Sequence, residues 1–174
     1  GPTHSQSLQA WFAHIPGLKV VMPSTSEDAK GLLLSSIFDE NPVIFLEHRW
    51  LHNQKGDVPE GDYRIPLGKV NIVKLGSDVT VVAMSYMTIE ALRATNYLER
   101  QNISCELIDL RTVSPIDWES IYTSVRKTGR LLVLDTGATT GSISGEIVAR
   151  VAMNLFSDLR CAPQRIALPD VPTP

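Results

Sequence analysis

Short apolar runs alternate with amphipathic stretches along most of the chain, and this alternation sets the elements to expect. After an opening loop, Leu8, Trp11 and Phe12 stand three and four positions apart. That spacing predicts a helix from about Gln6, with these three side chains forming one buried stripe. Ile15-Pro16-Gly17 reads as a turn, and Leu18 to Met22, ended by Pro23, as a buried strand. Ser24-Thr25-Ser26-Glu27 offers a capping box, Ser24 accepting from a backbone N–H while Glu27 reaches back. The helix it opens carries Ala29, Leu32, Leu33 and Ile37 on one side and ends near Asp39-Glu40-Asn41-Pro42. Val43 to Leu46 is a second buried strand. Helix, strand, helix, strand predicts an α/β arrangement with parallel pairing.

From His48 to Pro66 the rhythm breaks. Gly56, Pro59, Gly61 and Pro66 punctuate a polar stretch without a period, read as the connection between two domains. Trp50, Leu51 and Tyr63 indicate that it packs onto something. A second α/β series follows: strands at Val70–Lys74, Val79–Ala83, Ser104–Leu110, Leu131–Leu134 and Arg165–Leu168, with helices over about Thr88–Gln101, from Asp117 to Gly129, and from Ser142 or Ser144 to about Leu155. Arg111-Thr112-Val113-Ser114-Pro115 is predicted as a loop beyond a strand's carboxyl end, where open α/β sheets place functional groups.

Composition narrows the function classes. The net charge is −3 and the 16 Lys and Arg are scattered, which argues against a general nucleic-acid binder. Cys105 and Cys161 stand alone, so neither a zinc site of standard spacing nor a disulfide framework is expected. No apolar run approaches the roughly 18 residues of a membrane span. These features fit a cytoplasmic protein, or a mitochondrial-matrix one in a eukaryote. Both ends of the sequence read as cut from a longer subunit: the start lies within a loop of active-site type, and the finish is proline-rich.

Four groups of residues invite chemistry. His4, at the end of the loop opened by Gly1 and Pro2, suits acid–base work near neutral pH, or simply bonds a neighbouring carbonyl. Arg111 reaches an anion, or ties its loop to Asp109 or Asp117. Gly137, Gly141 and Gly145 make an anion nest before a helix, or a tight turn; the P-loop and Rossmann orders are absent. Ser36, Asp39 and Asn41, at a helix end with unsatisfied carbonyls, are candidates for surrounding a hard cation, though helices often end this way without one.

Several blocks carry a family resemblance: Gly1-Pro2-Thr3-His4-Ser5-Gln6-Ser7, Ala10 through Pro23, Asn41 through Glu47, Gly76 through Thr80, Asp109 through Pro115, and Lys127 through Val133. In this order, over essentially the whole length, they resemble the β subunit of thiamine-diphosphate-dependent 2-oxoacid dehydrogenases, the decarboxylating components of pyruvate, branched-chain 2-oxoacid and acetoin dehydrogenase complexes.

The resemblance implies the fold and the site. Residues 1–50 would be the end of a pyrimidine-binding α/β domain, 51–66 a linker, and 67–174 a transketolase C-terminal-like three-layer α/β domain with a mostly parallel sheet. His4 matches the family's active-site histidine; the glutamate that pairs with the cofactor would lie upstream of this sequence. Ser36, Asp39 and Asn41 match positions that bind potassium in some members. Thiamine diphosphate and Mg2+ would be shared with an α subunit, and a lipoyl acyltransferase core would take the acyl group. Pyruvate is the first expected substrate, and the chain alone is expected to be inactive, its His4 marking the site without completing it. The family often has a His-Glu pair where Asp135-Thr136 stand, and His48-Arg49-Trp50-Leu51-His52 also departs from the commonest members. Two alternatives follow: another transketolase-like enzyme, such as a deoxyxylulose phosphate synthase or split transketolase, and a subunit-docking module.

Overall fold

The computed structural model describes residues 4–172 of the 174-residue chain. Gly1 and Pro2, read above as holding a loop open, lie outside the described residues. Two sheets organise the rest. The smaller contains β1 (Lys19–Val21), β2 (Val43–Phe45) and β6 (Thr112–Ser114), in the order β2-β1-β6. β1 and β2 run parallel, joined by α2 (Ser26–Ile37), as the alternation predicted. β6 was expected to be loop. Instead Val20 pairs with Ser114 and Val21 with Thr112, antiparallel, so a segment from late in the chain completes the early sheet. Three residues carry too little periodicity to announce a strand; only the partner β1 makes it one.

The larger sheet has the order β3-β5-β4-β7-β8, from β3 (Asn71–Lys74), β4 (Val79–Ala83), β5 (Cys105–Asp109), β7 (Leu131–Ala138) and β8 (Gln164–Leu168). β3 is antiparallel to β5 and the other pairs are parallel. The period of two sorts its side chains between opposite faces. Val81 and Leu107 meet Ala91, Leu92 and Leu98 of α3 (Tyr86–Glu99). On the other face Val82, Ile108 and Val133 meet Ile121 and Val125 of α4 (Trp118–Thr128), and Ile147 and Val151 of α5 (Ile143–Asn154). The result is a three-layer α/β unit with a mostly parallel sheet, as the resemblance implied. Val20 and Met22 join the same core as Val82 and Ile147, so the early sheet is packed onto the later one.

Local signals account for the helix ends. Asp117 caps α4 by accepting from Ser120 N at 3.4 Å, and Gly129 closes it at φ 70°. Ser142 caps α5, accepting from Gly145 N at 3.0 Å. At α2 the cap is Thr25, which accepts from Asp28 N at 3.1 Å, rather than Ser24. Ser24 has another partner, described below.

The opening helix differs most from expectation. α1 (Gln9–Ala13) is a single turn, and only part of the expected stripe holds: Phe12 packs on the core and Leu8 is half-buried, but Trp11 is 72% exposed, whereas Gln9 is 1% exposed. An amide displaces an indole from the buried face because a carboxylate waits there to receive it. On α2, Leu32 is buried as expected, but Leu33 and Ile37 lie at the surface.

Candidate functional site

Adjacent strands β4 and β7 send their connections in opposite directions, β4 to β5 on one side and β7 to β8 on the other. The crevice at their carboxyl ends is the switch point where open α/β sheets bind ligands. Here α1 enters that crevice. Gln9 Nε2 donates to Asp135 Oδ1 at 2.7 Å and stands 3.2 Å from Thr136 Oγ1. Asp135 is itself held by backbone: Oδ1 accepts from Gly137 N at 2.9 Å and Oδ2 from Ser144 N at 2.9 Å. Gly137 packs closely here: a Cβ would sit 3.1 Å from Gln9 Nε2 and 3.3 Å from Asp135 Oδ1, so those side chains would have to shift by a few tenths of an ångström. Gln9 Oε1 is buried without a hydrogen-bond partner.

His4 lies five residues before Gln9, exposed, in the non-helical segment leading to α1. The glycines of the 137–145 loop form no free anion nest. Two of the first amides of α5 already point at Asp135 and Ser142.

A second polar cluster joins the two sheets beneath the surface. Ser24 Oγ donates to Asp109 Oδ2, while Asp109 Oδ1 accepts from Thr88 Oγ1 and from Arg111 N, each at 3.2 Å. Burial drives the Asp109 carboxyl up to about 6, and the nearby Asp28 charge pushes the same way against these hydrogen bonds. Arg111 turns inward at φ 56°, with Nη2 2.6 Å from Asp28 Oδ1. The two side chains form a buried ion pair, and Arg111 Nε has no hydrogen-bond partner. Of the two readings of Arg111, the structural one describes its side chain, although its partner is Asp28 rather than Asp109 or Asp117.

At the end of α2, Asp39 and Asn41 pair with each other, while the Ser36 hydroxyl turns back to its own helix. Ser36 Oγ donates to Leu32 O at 2.7 Å. Asp39 Oδ2 accepts from Lys19 Nζ at 2.6 Å, and Oδ1 accepts from Asn41 N at 2.9 Å and Asn41 Nδ2 at 3.0 Å. The Lys19 hydrogen bond, followed by those from Asn41, lowers the Asp39 carboxyl to about 2.

A cleft of about 500 Å³ lies between α2 and residues 47–58, with Ala29, Leu33, Leu51 and Val58 on its walls and His48 at one side. His48 stacks on Tyr86 at 4.9 Å between ring centres, and Trp50 meets Tyr86 edge-on at 5.0 Å. The packing expected of the 48–66 stretch is present at Tyr63, which joins the core and donates its hydroxyl to Glu27 O at 2.8 Å, whereas Trp50 keeps 66% of its surface exposed. Burial, with the neighbouring His52 charge, holds His48 below the usual imidazole range, and its Nδ1 accepts from Trp50 N at 3.3 Å.

Sequence reasoning reached His4, Arg111 and the potassium candidates, named Asp109 only as a partner for Arg111 and Asp135 only as a departure from the family, and passed over Gln9 and Asp28. Polar residues inside apolar strands and helices were the available signal: Asp109 ends an apolar strand and Asp135 follows one. Their partners are 85 and 126 positions away, beyond any local pattern.

Comparison with known proteins adds a family. Residues 68–174 match the transketolase C-terminal domain, and residues 1–54 the transketolase pyrimidine-binding domain. The chain is 46% identical over 171 residues to the acetoin:2,6-dichlorophenolindophenol oxidoreductase subunit beta of Cupriavidus necator, covering 98% of this chain and 51% of that protein. It is 46% identical over 175 residues to 2-oxoisovalerate dehydrogenase subunit beta 2, mitochondrial, of Arabidopsis thaliana, covering 100% and 49%. Over 172 residues it is 46% identical to the pyruvate dehydrogenase E1 component subunit beta of Rhizobium meliloti, covering 98% and 37%. The chain therefore spans about half or less of these relatives. Among solved structures, a split gene transketolase described as an inactive beta4 tetramer superposes with a TM-score of 0.78 at 25% identity, covering 94% of this chain and 52% of that one. A transketolase variant from Pichia stipitis, at 19% identity and a TM-score of 0.62, shares the fold.

Proposed function

Because the chain belongs to the transketolase C-terminal domain family, we propose that it is part of the β subunit of a thiamine-diphosphate-dependent 2-oxoacid dehydrogenase. The observation that carries this reading is the even 46% identity, across almost the whole chain, to beta subunits named for an acetoin oxidoreductase, a 2-oxoisovalerate dehydrogenase and a pyruvate dehydrogenase. We assign residues 1–50 to the pyrimidine-binding domain, 51–66 to a linker and 67–174 to the transketolase C-terminal-like domain. The activity would be oxidative decarboxylation of a 2-oxoacid and transfer of the acyl group to a lipoyl arm. Pyruvate is the first substrate proposed, beside branched-chain 2-oxoacids and acetoin.

The described residues do not by themselves make a cradle for the diphosphate and its metal. No three His, Cys, Asp or Glu side chains among them group as metal ligands, and the α5 amides are taken. We assign that part of the site, with Mg2+, to an α subunit and to residues outside this sequence. Bound there, thiamine diphosphate would supply the carbanion chemistry. This chain's contribution would be His4, an exposed imidazole serving as the acid–base group beside the acyl-transfer step. Potassium at Ser36, Asp39 and Asn41 belongs to the same proposal. Its support is the anionic Asp39 at the end of α2, and Lys19 is its competitor for that oxygen.

The transketolase reading rests on the likeness to the split gene transketolase. A phosphorylated sugar would need an anion site, and Arg111, the anion-binding candidate, is instead paired with Asp28. A docking role on a lipoyl acyltransferase core is compatible with the dehydrogenase reading and is tested by binding to that core. No helix among the described residues is long and apolar enough to cross a membrane, and we place the enzyme in the cytoplasm or, in a eukaryote, the mitochondrial matrix.

The test is reconstitution of the full-length subunit with its α subunit, thiamine diphosphate and Mg2+. Reduction of 2,6-dichlorophenolindophenol is followed with pyruvate, 2-oxoisovalerate and acetoin in turn. Turnover of one of them, absent from the isolated chain, supports the reading. Turnover of phosphorylated sugars alone would replace it with the transketolase one.

A further inference from the structure

We infer that Asp135 is a positioning residue for the His4 segment and acts through Gln9. For function this rests on the dehydrogenase reading; as a statement about the segment it stands alone. α1 is five residues long, has no side-chain N-cap and shows its largest side chain, Trp11, to solvent. A helix so short does not hold itself together, because nucleation is unfavourable and few bonds follow it. Apolar contact through Ala10, Phe12 and Ala13 supplies part of what is missing. A polar anchor at the first helical residue supplies direction. Gln9 gives its amide N–H to a carboxylate that is 3% exposed and is itself pinned by two backbone amides, one on β7 and one at the head of α5. Asp135 therefore cannot follow α1 if α1 moves. The charge-assisted bond ties the start of α1 to the rigid carboxyl end of a central strand. His4 is five residues upstream, with no regular structure between, so its reach is limited by where Gln9 is held.

The anchor sits in the switch-point crevice, whose functional use in other α/β sheets is to bind a ligand. In this chain the crevice receives a side chain from the segment bearing the candidate histidine. Gly137 keeps the approach open.

Hydrogen exchange on the wild-type chain, Gln9→Ala and Gln9→Glu separates this role from general stability. Gln9→Ala leaves the Asp135 bonds to Gly137 and Ser144 intact. Protection of residues 5–14 is expected to fall about tenfold or more while amides of β7 and α5 keep theirs. Gln9→Glu preserves shape but sets two carboxyls against each other. Protection of residues 5–14 should fall as in Gln9→Ala, because an oxygen now faces Asp135 where an N–H had donated. Unchanged protection of residues 5–14 in Gln9→Ala overturns the inference, as does an equal loss across β7 and α5. If Gln9→Ala does not fold, Gln9→Glu decides: wild-type protection of residues 5–14 in that variant overturns it. In the reconstituted enzyme, Gln9→Ala should lower kcat for acyl transfer to lipoamide and leave the KM for the 2-oxoacid alone; a raised KM with unchanged kcat overturns the role assigned through His4. Altered exchange in a chain whose wild type turns over no 2-oxoacid counts against the function proposed, while the anchor stands.

Discussion

Ser24 and Asp109, 85 positions apart, are joined by a buried hydrogen bond in which the serine hydroxyl donates to the carboxyl. It links the exit of β1 to the end of β5, so the junction between the two sheets rests on a titratable group.

That group makes stability depend on pH. Burial, reinforced by the Asp28 charge, raises Asp109 in the folded chain to about 6, above its value of 3.8 without that environment. The folded state therefore binds the proton more tightly. The resulting stabilisation is full below about pH 4 and disappears as pH rises through about 6. Its size is on the order of 3 kcal/mol. Asp109→Asn should flatten the slope of unfolding free energy against pH between about 4 and 7, measured by urea denaturation. Parallel wild-type and variant slopes would exclude Asp109 as the source.

Arg111 and Asp28 are expected to be strongly coupled. Arg111→Met leaves the Asp28 carboxylate buried without a counter-charge and should cost about 3–5 kcal/mol. Asp28→Asn combined with Arg111→Met should recover a large part of that loss. A double-mutant cycle by chemical denaturation checks it; additive effects would show that the 2.6 Å contact carries no coupling.

Gly76 stands where backbone meets backbone. A Cβ there would lie 2.2 Å from the Cys105 carbonyl carbon and 2.4 Å from Glu106 N. No side-chain rotation relieves that approach, so Gly76→Ala should destabilise by roughly 3 kcal/mol or more. At Gly31 the corresponding atoms belong to the Ile65 and Tyr63 side chains, which can turn, and Gly31→Ala should be milder. Thermal melts of the two variants give the order; the reverse order would refute the argument.

His4 should behave as a functional residue without a structural debt. It is exposed, so His4→Ala is expected to leave the melting temperature within about 1 °C, since surface substitutions rarely matter to stability. In the reconstituted enzyme, acyl transfer should fall by about 10²–10⁴, the range of a lost acid–base group. Activity retained in full would remove His4 from the proposed mechanism.

Much of this architecture was legible in the residues themselves. The β-branched run Val79–Ala83, the cap at Asp117 and the terminator Gly129 are local signals, and the structure follows them. The misses share one cause: the partner that decides them is remote. Gln9 looks like a polar interruption until Asp135 is brought beside it, and Trp11 looks like core until Gln9 takes the inward place. Ser24 resembles a helix cap until Asp109 claims its hydroxyl and Thr25 takes over the capping. Polar contacts across the fold leave no period in the sequence, whereas apolar packing does.

The loan of β6 to the early sheet has a practical consequence for anyone dissecting this chain. A cut through residues 51–66 separates two sequence blocks, yet the excised early block would keep β1 with one bare edge where Thr112–Ser114 had lain. Its companion block would uncover the apolar surface that Val20 and Met22 had shielded. Expressed apart, the pieces would each offer a template for promiscuous strand addition and aggregate, and mixing them together would be the condition for either to dissolve.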